Sequence, residues 1–162
     1  MQSLPVIGWR EWLALPDLGI VAIKAKVDTG ARSCALHVDS LEEFRRDGVT
    51  WLAFSVRPST KRRLPAIEAE APALDRRVVT DSSGHASERW FIRSTVRIAG
   101  VAFHTDINLT SRRTMLFPML LGRTALAGRF RVDAARSYAT GRRQAARSVP
   151  ADERGARPGS PE

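Results

Sequence analysis

Cysteine is nearly absent from this 162-residue chain: Cys34 stands alone, so no intrachain disulfide can form, and a reducing compartment is the natural setting. Histidine is scarce as well. His37, His85 and His104 make neither a His-Glu-x-x-His pair nor part of a twinned Cys-x-x-Cys, so no metal is expected. There is no Gly-x-x-x-x-Gly-Lys-Ser/Thr loop to cradle nucleotide phosphates, and no cofactor is expected. No apolar run approaches the roughly 20 residues that cross a bilayer. The opening MQSLPVIGWREW has neither a charged start ahead of an apolar stretch nor a small-residue cleavage site. The expectation is a cytoplasmic chain without a membrane partner.

Acids are also in short supply, 17 against 26 Lys plus Arg, which leaves a net charge of +9. Such a field attracts acidic partners. The arginines are spread through strand-like segments rather than along one recognition helix, and no zinc-finger, helix-turn-helix or RNP pattern accompanies them.

What the chain does have is alternation. Short segments with apolar residues at every second position, separated by turn residues, predict an all-β domain. Val21, Ile23, Ala25 and Val27 face one way on a strand from Ile20 to Asp28, and Ala22, Lys24 and Lys26 the other. Ahead of it, residues 6–19 read as a strand closed by Pro16-Asp17-Leu18-Gly19, pairing with it as a hairpin. Ser40 followed by Glu43 reads as a capping box and predicts a short helical turn over 39–48. Thr50 to Val56 is a further strand, and Pro58 to Ala73 a loop with an edge segment.

A projecting hairpin is predicted from 76–81 and 88–100, with Trp90, Ile92, Val96 and Ile98 on one face and Arg89, Arg93 and Arg97 on the other. Ser82-Ser83-Gly84 lies at its tip. Ala99-Gly100 turns the chain into a strand in which Val101, Phe103, Thr105, Ile107 and Leu109 share a face. An apolar strand then runs into Gly122-Arg123 and a short helix. Residues 1–141 form one domain on this reading, and 142–162, basic and poor in large apolar residues, a disordered tail.

The strand ending at Val27 delivers Asp28-Thr29-Gly30-Ala31. Such a triplet is turn-competent in any protein, and its chemical weight comes from its company. With Leu120-Leu121-Gly122-Arg123 and Leu126 late in the chain and hairpins between, it resembles one lobe of an aspartic peptidase of the retropepsin kind. The longer match, GWREWLALPDLGIVAIKAKVDTGARSCALHV with TMLFPMLLGRTAL and RFRVDAARSY, is similar to a bacterial family named ATP-dependent zinc proteases, itself retropepsin-like.

The resemblance implies a retropepsin-like closed β-barrel with one short C-terminal helix. In it Asp28, Thr29 and Gly30 are catalytic, Ala31, Arg32 and Arg93 meet the substrate, and Gly122 with Arg123 forms a structural motif. Two carboxyl groups sharing a proton act together as base and acid in such enzymes. This chain has one Asp-Thr-Gly and no second triplet, so the pair must come from two copies, and a homodimer is expected. The resemblance further implies an ATP-grasp ligase as partner, one that adds glutamates to a ribosomal protein, and a peptidase acting on that acidic tail. Arg32 stands where a retropepsin has an acid, which leaves Arg123 without its usual counterion; Arg32 reads a substrate carboxylate or pairs with a nearby acid such as Asp39. Two other readings stay open: a binding module of the same fold that holds an acidic peptide or ribosomal RNA, and a zinc-dependent peptidase as the family name says.

Overall fold

Tight turns and alternating apolar residues build a predominantly β molecule. The computed structural model describes residues 3–58, 65–111 and 116–140, so the tail expected at 142–162 lies outside the described residues. In chain order the strands are β1 (Val6–Ile7), β2 (Arg10–Leu15), β3 (Ile20–Val27), β4 (Cys34–His37), β5 (Ser40–Arg46) and β6 (Val49–Val56). There follow β7 (Ile67–Pro72), β8 (Asp75–Thr80), β9 (Ala86–Ile98), β10 (Val101–Thr110), β11 (Met119–Leu121) and β12 (Arg131–Val132). A single short α-helix among the described residues, α1 (Arg123–Leu126), follows β11.

The main sheet runs β10-β4-β11-β3-β2-β9-β8, and β9 also pairs with β10, so the hydrogen bonding passes round a ring with β8 appended. Between β2 and β9 the ring is closed by one residue pair, Ala14 with Arg97. Leu13, Ile23, Ala25, Leu36, Ile92, Ile98, Ile107, Met119 and Leu121 are fully buried inside it. Each large aliphatic side chain so buried stabilises the fold by about 1.5–3 kcal/mol. A second sheet, β5-β6-β7, packs Leu52 and Phe54 into the same core. A parallel pair, β1 with β12, brings the two ends of the described chain together.

The β2–β3 hairpin forms as expected, turned by a 3-10 turn at Pro16–Leu18 with Gly19 in the left-handed region at φ 70°. Its alternation is broken, however, by a register shift between Leu13 and Leu15. Ile20 is buried and Val21 is 44% exposed, while Lys24 is only 9% exposed. The bulge reverses the inward parity at the start of β3.

The helical turn expected over 39–48 is a strand instead. β5 pairs with β6 around Asp47-Gly48, with φ 53° and 78°, and the Ser40 hydroxyl meets Ser55 Oγ at 2.8 Å rather than capping a helix. Asp-Gly is a strong two-residue hairpin turn, and it prevails over the capping-box pattern. The edge segment expected within 58–73 is β7, which pairs with β6 from Ile67 to Pro72; residues 59–64 lie outside the described chain. The β9–β10 hairpin turns at Ala99-Gly100, both with positive φ.

Candidate active site

β3 carries the chain to Asp28 beside β11, whose short apolar run Met119–Leu121 lies between β3 and β4. The Asp28 amide donates to the Leu121 carbonyl at 2.9 Å. Gly30 N then donates to Asp28 Oδ1 at 2.9 Å, and Ala31 N to the Asp28 carbonyl at 3.3 Å. The half-buried carboxylate is therefore held by its own turn, the work expected of an aspartate at such a position. A second loop crosses this one. Arg123 N donates to Ala31 O at 2.8 Å and Thr124 N to Arg32 O at 3.1 Å. At the crossing Gly122 has no space for a Cβ, which would run into the Ser33 carbonyl.

Asp28 opens onto a cleft of about 980 Å³ whose wall includes Gly30, Ala31, Arg32, Arg93 and Arg123. The fold thus brings most of the expected site residues together. Thr29 is exposed beside them and Gly122 is buried behind the wall; neither lines the cleft. The cleft is also lined by the β8–β9 hairpin, which contributes Val78, Val79, Asp81 and Ser82 besides Arg93. At its tip Asp81 Oδ1 accepts from Ser83 N, Ser83 Oγ and His85 N, at 2.9, 2.6 and 3.0 Å. Ser82-Ser83-Gly84 is thus a structured tip, of which Ser82 lines the cleft.

The charge of the cleft is uneven. Arg77 is neutralised by Asp75, at 2.8 and 3.1 Å, and by Asp106 at 3.0 Å, and these hydrogen bonds hold its guanidinium above the usual arginine value. Arg89 is half-buried and meets no acid among the described residues. Its Nη1 donates to Asn108 Oδ1 at 3.0 Å, and burial lowers its affinity for the proton. Asn108, itself 1% exposed, passes the contact on, donating from Nδ2 to the Cys34 carbonyl at 2.8 Å and toward Ser33 Oγ at 3.3 Å. Arg32, Arg93 and Arg123 are exposed and form no ion pair with another described residue. Asp39, the acid considered for Arg32, is taken by Arg57 at 2.9 Å and lies 3.4 Å from His37.

Asn108 and Arg77 were not anticipated from sequence. Neither stands out: Asn108 is one of several polar residues in VAFHTDINLT, and Arg77 one more arginine before a Val-Val pair. Cys34 is fully buried beneath the loop; Gly122 N approaches its Sγ at 3.5 Å, and burial pushes the thiol up from its ordinary value. Among the described residues no group of three or more His, Cys, Asp or Glu is arranged to hold a metal ion.

Residues 6–143 match the RimB-like family, described as retropepsin-like aspartic endopeptidase RimB. The chain belongs to this family. Among curated relatives of this RimB-like chain, proteins named probable alpha-L-glutamate ligase from Shewanella pealeana and Desulfotalea psychrophila are each 37% identical over 136 residues. One from Parasynechococcus marenigrum is 38% identical over the same length. These matches cover 84% of the chain but only 29–30% of the relatives, so the chain spans under a third of the curated proteins it resembles. A crystal structure of a Legionella pneumophila protein of unknown function (DUF785) superposes with a TM-score of 0.69 and 27% identity, covering 85% of this chain and 99% of that one. No helix among the described residues is long and apolar enough to cross a membrane.

Proposed function

We propose that this RimB-like chain is an aspartic endopeptidase whose catalytic pair is Asp28 from each of two copies, and that its substrate is an acidic, glutamate-rich protein tail. The observation that carries the reading is the turn-held Asp28 carboxylate on the wall of a cleft in which four arginines, 32, 89, 93 and 123, lack an acidic partner among the described residues. A peptide bearing carboxylates supplies the missing counterions. That curated relatives match this chain over under a third of longer proteins named for glutamate ligation supports the same substrate class, and makes an ATP-grasp glutamate ligase the partner of choice.

In this mechanism one Asp28 carboxylate takes a proton from water as the oxygen attacks the scissile carbonyl, and the protonated Asp28 of the second copy gives its proton to the carbonyl oxygen. Collapse of the tetrahedral species expels the amine, which leaves with a proton from the pair. A single copy holds only half of this machinery, so the site is complete only in a homodimer.

The decisive experiment is Asp28→Asn assayed on a glutamate-extended peptide, with the dimer followed by sedimentation. Cleavage should vanish while fold and dimer persist; retained cleavage ends the proposal. The second reading, a binding module for acidic tails, is favoured by the same unpaired arginines. It requires that the unmodified chain cleave nothing at any pH and that Asp28→Asn bind the peptide as before.

A further inference from the structure

We infer that Glu11, which lies outside the cleft, is a positioning residue that fixes the backbone entering Asp28; the kinetic part of its test rests on the peptidase reading, the exchange part does not. Glu11 has no exposed surface, a rare place for an acid, and no cation pairs with it among the described residues. Its hydration is replaced entirely by donors from the chain. Oε2 accepts from Gly8 N at 2.7 Å and Ala139 N at 2.9 Å; Oε1 accepts from Thr140 N at 3.3 Å and Thr140 Oγ1 at 3.0 Å.

Two of these donors are consecutive backbone amides, and Tyr138 explains why they converge. It sits at φ 51°, in the left-handed region that a bulky residue seldom enters, and this turns the amides that follow it toward one point. Successive amides converging on one carboxylate are a way that backbone binds an anion. Here the anion is built in: the carboxylate of Glu11 anchors a C-terminal strap, residues 133–140, against the start of β2.

The strap reaches Asp28 through one residue. Trp9 N donates to Arg136 O at 2.9 Å and Tyr138 N to Arg10 O at 2.9 Å, while a Cβ on Gly8 would collide with the Arg136 carbonyl. The Trp9 carbonyl in turn accepts from Val27 N at 2.8 Å, and the next amide, Asp28 N, is held by Leu121 O at 2.9 Å. The two amides that aim the Asp28 loop therefore have separate anchors. One is a strand of the ring; the other is a turn held in place by Glu11 and the strap. Removing the carboxylate leaves the buried Gly8 amide, and the more open Ala139 and Thr140 amides, without their acceptor and frees the Trp9 carbonyl to move with Val27.

The test is Glu11→Gln, which keeps the shape but replaces one acceptor oxygen with a carboxamide NH2 facing amide donors, with Thr140→Val as a milder variant that removes only the hydroxyl contact. Residue-resolved amide exchange is measured on the full chain, together with kcat and KM on a glutamate-extended peptide. In Glu11→Gln, exchange should accelerate at Val27 in step with Ala139 and Thr140, while Asp28, anchored on Leu121, and Ile98 and Ile107 in the β9–β10 ladder keep more of their protection. kcat should fall by roughly 10-fold or more with KM little changed. Thr140→Val should move the same amides less, and it carries the comparison alone if Glu11→Gln does not fold. Faster exchange at Ala139 and Thr140 with unchanged protection at Val27 overturns the inference, as does a uniform loss of protection in every strand. If the unmodified chain cleaves no peptide, the peptidase reading fails, and the exchange pattern still decides the role of Glu11.

Discussion

Gly122→Ala should destabilise the chain far more than its one added methyl group suggests. A Cβ at this position would overlap the Ser33 backbone and lie 3.0 Å from the Ala31 carbonyl oxygen. Neither is the end of a flexible side chain. The φ of −92° is ordinary for any residue, so the whole cost is steric. Overpacking of this kind costs about 1–3 kcal/mol. The loop that must move also accepts hydrogen bonds from Arg123 N and Thr124 N. Losing one adds about 1 kcal/mol, for a total of roughly 2–4 kcal/mol. In urea, where m is about 1–3 kcal/mol/M, the midpoint should drop by roughly 1 M or more. Gly30→Ala is the control: its Cβ meets only Asp28 Oδ1 at 3.2 Å, a side-chain atom that can turn aside. Stability there should change by less than about 0.5 kcal/mol, and peptide cleavage should suffer because the carboxylate itself is displaced. If Gly122→Ala unfolds within about 0.5 kcal/mol of the unmodified chain, the close crossing of the two loops is refuted.

Burial raises the Cys34 thiol above its ordinary value, so alkylation by iodoacetamide at pH 8 should be slow in the folded chain and fast in urea; equal rates would contradict the placement. The unfolded thiol ionises first as pH rises, so the Cys34 contribution to stability should be intact below the ordinary thiol range and fall above it, and Cys34→Ala should flatten that decline in a pH series of urea midpoints. Phe54→Ala, at a side chain 1% exposed where β6 meets the main core, should cost about 3–5 kcal/mol by the same urea method, and a loss below about 1 kcal/mol would show that the second sheet is not packed there. If arginines draw in the substrate, raising salt from about 0.05 to 0.5 M should raise KM for an acidic peptide and leave a neutral one alone, since added salt shortens the screening length.

Much of the ring was legible because its signals are local. Pro16-Asp17-Leu18-Gly19 and Ala99-Gly100 each fix a hairpin from a few residues, and the loop from Asp28 to Ala31 is specified by an aspartate that caps its own turn. β5 was misread because two local patterns compete: the capping box at Ser40 and Glu43 lies wholly inside the segment, whereas the Asp47-Gly48 turn gains its force from a partner strand, β6. The rest was hidden by distance. Glu11 sits in a strand where alternation suggests nothing special, and two of its donors, Ala139 and Thr140, are 128 and 129 positions away. Asp39 finds Arg57 rather than Arg32, and Asn108 joins Arg89 to Cys34, through contacts that no spacing rule encodes.

The parallel pairing of β1 with β12 places Val6 against Arg131 and Ile7 against Val132. Entry and exit of the folded unit are therefore neighbours. A host polypeptide can carry such a unit as an excursion from one point on its own surface, leaving and returning at the same doorway without stretching its own fold. The architecture is in this sense a cassette that a longer chain can carry.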